Sequence, residues 1–269
     1  MLKFLYETAF GRMLLKPLTS RAFSELVGFL MNSRPSRLLI PSFVRKNSID
    51  MSEYVPMDFS NFNEFFTRKI LPQARPTDMA ENHLMSPCDG NLSVYRITEG
   101  SRFSVKHSVY DVAALTGDAN AARMFAGGIC MVFRLCVNNY HRFHYFDDGG
   151  ELSHRYMSGV LHTVRPIALE NTDVFIQNCR ECTWMQTRHF GLAAQIEVGA
   201  MLVGRIQNHH PKTFRRGDEK GMFLYGGSTV ILLLQKDRVA VPQVYFNATA
   251  RGEELPVRFG QWLGDIGES

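Results

Sequence analysis

Apolar residues over the first thirty positions recur at helical spacing. Leu2, Leu5, Tyr6, Ala9, Phe10 and Met13 form one stripe, with Lys3, Glu7 and Arg12 off it, which predicts a single amphipathic helix. A second helix is expected to start after Thr19 or Ser20, to carry Phe23, Leu26, Val27 and Leu30 on one face, and to stop before Arg34-Pro35. A third, short helix is predicted where Asn61-x-x-Glu64 has the form of a capping box. Phe62, Phe65 and Phe66 give it an apolar face, and Pro72 and Pro76 prevent its continuation.

Beyond this point the texture changes to short apolar or alternating runs separated by Gly, Asp and Asn. Strands are predicted at 92–97, 129–137, 159–164, 194–198, 201–206 and 230–234. The pattern as a whole predicts an α+β protein, with N-terminal amphipathic helices followed by a β-rich, mostly antiparallel sheet core. The expected division is an N-terminal helical segment over 1–60 and a β-rich domain over 61–269. There is no internal repeat or low-complexity stretch.

Composition changes this picture in three places. The chain has 269 residues, 45% of them hydrophobic and 21% charged, enough for a substantial core and unlike a disordered chain. The basic excess is uneven. Residues 1–50 hold eight Lys and Arg against three Asp and Glu, while the rest is near neutral, which points the N-terminal segment at an anionic surface, membrane or nucleic acid. The five cysteines (Cys88, Cys130, Cys136, Cys179, Cys182) are odd in number and scattered, and read as reduced thiols of a cytosolic compartment. Cys179-x-x-Cys182 lacks a second pair at metal spacing, so no metal is expected. No run approaches the ~18–20 apolar residues of a membrane span.

Candidate chemistry centres on Gly226-Gly227-Ser228-Thr229, which leads into Val230–Leu234. Paired glycines before a buried strand mark either a bulged turn or a place where another group must reach the backbone. A serine there needs a general base, and the base an orienting partner, before it is a nucleophile. Two segments offer them. Ser86-Pro87-Cys88-Asp89-Gly90 places an aspartate in a tight turn, and Tyr140-His141-Arg142-Phe143-His144 places two histidines at a strand end. Composition and spacing do not tell which histidine would serve the serine. His83, His107, His154, His162, His189, His209 and His210 read as structural or surface residues.

Taken together these three segments resemble the signature segments of the phosphatidylserine decarboxylase proenzymes. Phe65-Phe66-Thr67-Arg68, Ala74-Arg75-Pro76, Glu197-Val198-Gly199-Ala200 and Glu219-Lys220-Gly221 support the resemblance, which runs in order from about Phe62 to Leu234. Asn139 stands where members commonly carry Asp, and Tyr145-Phe146-Asp147-Asp148 is a less usual continuation. The resemblance implies that Ser228 attacks the carbonyl of Gly227, that the chain is cut between them, and that Ser228 becomes a pyruvoyl group. It assigns Asp89 and His144 to this self-cleavage as orienting carboxylate and base, and His141 to protonation of the product. An ordinary histidine pKa near ~6.5 would suit that last role. The pyruvoyl group, with no metal and no pyridoxal phosphate, then serves as electron sink when CO2 leaves.

The resemblance further implies phosphatidylserine as substrate and phosphatidylethanolamine as product. The anionic partner becomes a phospholipid membrane rather than nucleic acid, met peripherally at the cytoplasmic face of the cell membrane. The large and small chains are expected to stay together after the cut, and a homodimer is compatible with this scheme. Two alternatives stay open: a pyruvoyl-dependent decarboxylase of a soluble, aromatic amino acid, and a non-catalytic lipid-binding relative.

Overall fold

A computed structural model describes residues 2–105, 108–201, 205–226 and 228–267. Met1, His107 and Gly227 lie outside the described residues. The architecture is α+β, as the pattern predicts, with the helices concentrated at the N-terminus and the strands after residue 82.

The expected first helix is two. Leu2–Glu7 ends at Thr8, whose side chain caps the helix Ala9–Leu18 by accepting the Gly11 amide at 2.9 Å. The second helix folds back so closely that a Cβ on Gly11 would stand 1.9 Å from the Phe4 carbonyl oxygen, so only glycine fits there. The break splits the predicted apolar stripe. Leu5, Tyr6 and Leu15 are buried, whereas Phe10 and Met13 are more than half exposed. The next helix, Arg21–Met31, starts as expected after Ser20, which caps it. The third, Phe62–Phe66, has half a capping box: Asn61 accepts the Glu64 amide at 2.9 Å, but Glu64 reaches back one residue further than the motif requires, to the Ser60 amide at 2.7 Å.

The main sheet has eight strands in the order Thr213–Phe214, Gly149–Met157, Arg180–Thr187, Leu192–Gly199, Ser228–Leu234, Ile129–Leu135, Gly90–Arg96 and Leu255–Val257. Every neighbouring pair is antiparallel. The Ser228 strand lies inside this sheet and is buried along its whole length. Its side chains alternate between two cores, which is why it reads as a continuous apolar run rather than as an alternating one. Ile231 and Leu233 join a core that includes Leu5, Tyr6 and Leu15 of the N-terminal helices. Val230, Leu232 and Leu234 join a second core that includes Phe143 and Phe223.

Those two phenylalanines belong to a smaller sheet of three strands, ordered Ile206–Asn208, Glu219–Phe223 and Arg142–His144. The two sheets are tied by a buried ion pair, Lys220 Nζ to Glu197 Oε2 at 2.9 Å. Ser228 alternates onto the same face as Val230 and Leu232, so the smaller sheet covers the face to which the serine belongs.

Two strand expectations need correction. Residues 159–164 form no strand and contribute one isolated bridge, Val160 to Asn178. Residues 202–204 of the expected 201–206 strand lie outside the described residues, and the strand found there is Ile206–Asn208. Gly149–Met157 and Arg180–Thr187, both long, were not predicted from the pattern.

Candidate active site

Ser228 opens its strand, paired on one side with Leu135 and on the other with Gly199. It is completely buried, and its Oγ has no hydrogen-bond partner. Gly226, two residues earlier, has φ +128°, a backbone conformation that side chains rarely allow and that glycine tolerates. The expected cut site falls between Ser228 and Gly227, and Gly227 is outside the described residues.

His141 precedes the smaller sheet's strand Arg142–His144, and His144 ends it. The His141 carbonyl accepts the Phe223 amide at 3.0 Å, while His144 pairs with Glu219 at the opposite end of the facing strand. His141 is therefore the histidine next to the segment that runs into Ser228. The Phe66 ring confirms this proximity by packing on His141 at 4.0 Å between centroids and on Tyr225 at 5.4 Å.

Each ring uses one nitrogen and leaves the other free. His141 Nδ1 is 2.9 Å from the Asn139 carbonyl, and His144 Nδ1 is 3.0 Å from the Gly217 carbonyl. A carbonyl oxygen only accepts, so Nδ1 carries the proton in both, and in the neutral ring Nε2 holds a lone pair. Both Nε2 atoms are buried without a partner, the only such histidine nitrogens among the described residues. Burial drives the pKa of His141 down to about 3, with the positive charge of Arg68 acting in the same direction. Burial takes His144 down to about 4, against the Gly217 hydrogen bond. His141 thus does not keep the ordinary value expected of a proton donor, because it is buried, with the Phe66 ring packed on it and the Arg68 charge acting on it.

Asp89 is held elsewhere than the sequence suggests. Its carboxylate takes Arg75 Nε at 3.0 Å and Nη2 at 2.8 Å, and accepts the Phe259 amide at 2.8 Å. No hydrogen bond joins it to His144 among the described contacts. The link is indirect: the Phe259 ring stacks on His144 at 3.7 Å and 17°. A second, backbone link joins the same segments, where the His144 amide donates to the Pro87 carbonyl at 2.8 Å.

The structure brings Asp89, His144, Phe259 and Arg75 into one group and His141, Phe66, Arg68 and Tyr225 into another. No hydrogen bond connects either group to Ser228 Oγ. Phe259 gave no signal in the sequence, since its role comes from a C-terminal loop returning to the Asp89 turn.

A cavity of about 660 Å³ adjoins the serine's end of the sheet. Leu135, the register partner of Ser228, lines it together with Gly226 and Tyr225, and Lys3 and Arg165 bring positive charge to it.

The sequence pattern of phosphatidylserine decarboxylase matches residues 62–265. The chain belongs to the phosphatidylserine decarboxylase family. Among curated relatives, it is 40% identical to phosphatidylserine decarboxylase proenzyme 2 of Clostridium acetobutylicum, over 99% of this chain and 92% of the relative. It is 38% identical to a phosphatidylserine decarboxylase proenzyme of Clostridium perfringens over 91% of this chain and 85% of that one. A proenzyme of the same name from Chlamydia trachomatis is 36% identical, over 98% of this chain and 90% of its own length. The first of these matches includes the N-terminal helices, which the family pattern leaves out.

Membership in the phosphatidylserine decarboxylase family also gives context to the supporting stretches. Arg75 clamps Asp89, Phe66 packs on His141, Arg68 charges its surroundings, and Glu197 with Lys220 ties the sheet of Ser228 to the sheet of the histidines.

Proposed function

We propose that this chain is a self-processing decarboxylase that cuts itself between Gly227 and Ser228 and then converts phosphatidylserine to phosphatidylethanolamine and CO2 at a membrane surface. The observation that carries this reading is that Ser228 Oγ, His141 Nε2 and His144 Nε2 are all among the buried side-chain atoms without partners. An unpaired buried polar atom costs on the order of 1–3 kcal/mol, and three of them on two of the family's three signature segments are best explained by chemistry that uses them.

In the proposal, His144 is the base that takes the Ser228 proton as Oγ attacks the Gly227 carbonyl. The family resemblance assigns it this role; its neutral ring, free Nε2 lone pair and the Gly217 carbonyl that fixes the tautomer suit a base, as the same features do in His141, which lies nearer the segment leading into Ser228. Asp89 is a positioning residue that holds His144 through Phe259. His141, beside Tyr225, is assigned to proton transfer at the substrate carbon. Its low pKa means that it works as a neutral ring until substrate charge arrives to raise it.

The residues fit a pyruvoyl group at position 228. The serine begins a strand, so a new chain end there leaves the ladder from 229 onward paired, and Gly226 lies in a backbone state suited to a sharp turn before the cut. Such a group supplies an electron sink for loss of CO2 without metal or pyridoxal phosphate.

The lipid reading draws on two features. Lys3 and Arg165 at the cavity suit the phosphate of a headgroup. Phe10, Met13, Leu26, Phe29 and Leu38, at 57% exposure or more, present apolar surface within a basic N-terminal segment, as a protein lying on the cytoplasmic face of an anionic bilayer would need. No helix among the described residues is long and apolar enough to cross a membrane.

The test is intact mass before and after borohydride, with vesicle-borne phosphatidylserine and free aromatic amino acids as substrates. The expected result is a chain of residues 1–227 and a second chain of about 42 residues whose N-terminus is blocked and gains the mass of carbonyl reduction. Ser228→Ala should remain whole. Wild-type protein that is uncut and inactive would refute the proposal, and turnover of the amino acids alone would refute the lipid part.

A further inference from the structure

We infer that the chain holds a divalent cation, best matched by Zn²⁺, at Glu151, His154 and His210, outside the site described above. The three donor atoms lie within 4.8 Å of one another. Glu151 Oε1 is 2.8 Å from His210 Nδ1 and 3.4 Å from His154 Nδ1, and the two imidazole rings are stacked with centroids 3.7 Å apart. Two Zn–ligand bonds of ~2.0–2.1 Å at a tetrahedral angle separate their donor atoms by about 3.3 Å; the Glu151–His154 pair already stands near that spacing, and the Glu151–His210 pair has to open from 2.8 Å to admit the ion.

The local backbone is bent to make this group. Glu151 and His154 are an odd number apart on one strand and would normally point to opposite faces. A bulge between Glu151 and Ser153 shifts the register, so that Glu151 stands opposite Met185 and His154 opposite Thr183, two positions that share a face of the next strand. His210 arrives from the far side, in a left-handed conformation with φ +49° that a non-glycine residue adopts at a cost.

A fourth side chain completes the design. Glu181, nine-tenths buried, has an Oε1 atom without a hydrogen-bond partner, 2.8 Å from His210 Nε2 but not aimed along its N–H. A histidine bound to a metal through Nδ1 keeps its proton on Nε2, and a carboxylate that accepts that proton fixes ring and tautomer. Binding would move the His210 Nδ1 proton to solvent, turn Nε2–H onto Glu181, and leave the metal with one carboxylate, two imidazoles and open positions for water. Imidazole with carboxylate suits Zn²⁺ rather than Ca²⁺ or Mg²⁺.

The strand pair carrying Glu151, His154 and Glu181 lies at the outer part of the large sheet, whereas His210 follows the strand Ile206–Asn208 of the smaller one. The ion would join the two sheets at a second point beside Lys220–Glu197, and so hold the histidine-bearing sheet over the serine-bearing one.

The test is Zn²⁺ titration of EDTA-treated full-length protein by calorimetry, with metal content by mass spectrometry and the unfolding midpoint read with and without zinc. One zinc per chain and a raised midpoint are expected, with both lost in His154→Ala and His210→Gln, and affinity lowered about 10–100-fold in Glu181→Gln. The proposal falls if the wild type binds no zinc, or if zinc binds equally well to the variants. It also falls if His210→Gln lowers the midpoint by the same amount with and without zinc, since His210 would then be a cation bridging two carboxylates and nothing more.

Discussion

Self-cleavage should respond to pH as a reaction whose base titrates near 4, not near 6.5. The perturbation is pH alone, applied to newly made, uncut chain. Burial holds His144 at about 4, so the lone pair on Nε2 is available through most of the acidic range. At pH 5.5 a base of pKa 4 is about 97% neutral, while one at the unperturbed 6.5 is about 9% neutral. The two cases differ roughly tenfold in rate at that pH if the neutral fraction limits the reaction. The direction follows from the sign of the shift: the rate is level at neutral pH and falls only as pH drops through about 4. The assay uses protein from cell-free synthesis, pulse-labelled, moved at once into buffers from pH 4.5 to 8, and followed on a gel for loss of the full-length band. Circular dichroism of Ser228→Ala at each pH verifies that the fold persists. A midpoint near 6.5, with the fold intact, would show that His144 is solvated during the reaction or is not the base.

Two further predictions concern roles and surface. His144→Ala should leave the chain uncut, while His141→Ala should cut itself yet turn over ~10²–10⁴-fold more slowly, as expected for loss of a general acid; a gel and a turnover assay on each variant decide it, and the reverse pattern would exchange the two assignments. Replacing Phe10, Met13, Phe29 and Leu38 by Ser should weaken binding to anionic vesicles and reduce activity on vesicle-borne lipid more than on a short-chain analogue, and wild-type binding should weaken as salt rises; equal losses on both substrates would mean that these side chains serve the fold.

The elements that could be read from the sequence were those in which pattern and environment agree. Val230–Leu234 is apolar throughout because both faces of its strand are covered, so its run announced a central strand. Gly149–Met157 stayed hidden because most of its side chains are exposed or half-exposed, and a run such as Glu151-Leu152-Ser153-His154-Arg155 has no apolar period to detect. The bulge at Glu151 and Ser153 breaks what alternation there is. The break at Thr8 was equally hard to see, since the apolar spacing continues unaltered across it and only the fit of Gly11 against the Phe4 carbonyl turns the chain. At the site, residue types and their order pointed to Ser228, His141, His144 and Asp89, but not to how they are held. Arg75 and Phe259 come from segments 14 and 170 residues away from Asp89, and no local pattern encodes such a meeting.

The arrangement around Asp89 separates this site from a simple serine, histidine and aspartate relay. A carboxylate bonded directly to Nδ1 would stabilise the charged ring and raise its pKa; here a neutral carbonyl takes that position. Arg75 neutralises Asp89 at 2.8 Å, and Asp89 contributes least among the influences on His144. Arg75→Gln should therefore do two things at once. It leaves a buried carboxylate without its main partner, a loss of about 3–5 kcal/mol by analogy with other broken buried pairs. It also exposes His144 to more of the Asp89 charge, so the midpoint of the cleavage profile should move upward from about 4. Arg75→Gln combined with Asp89→Asn removes the unpaired charge, and should recover much of the stability and return the midpoint toward its original value. Urea unfolding of the uncut Ser228→Ala background gives the first quantity, and the pH profile of cleavage in the active background gives the second. A midpoint that stays in place in Arg75→Gln while stability falls would show that Asp89 acts on His144 only by holding Phe259 against its ring, and not through its charge.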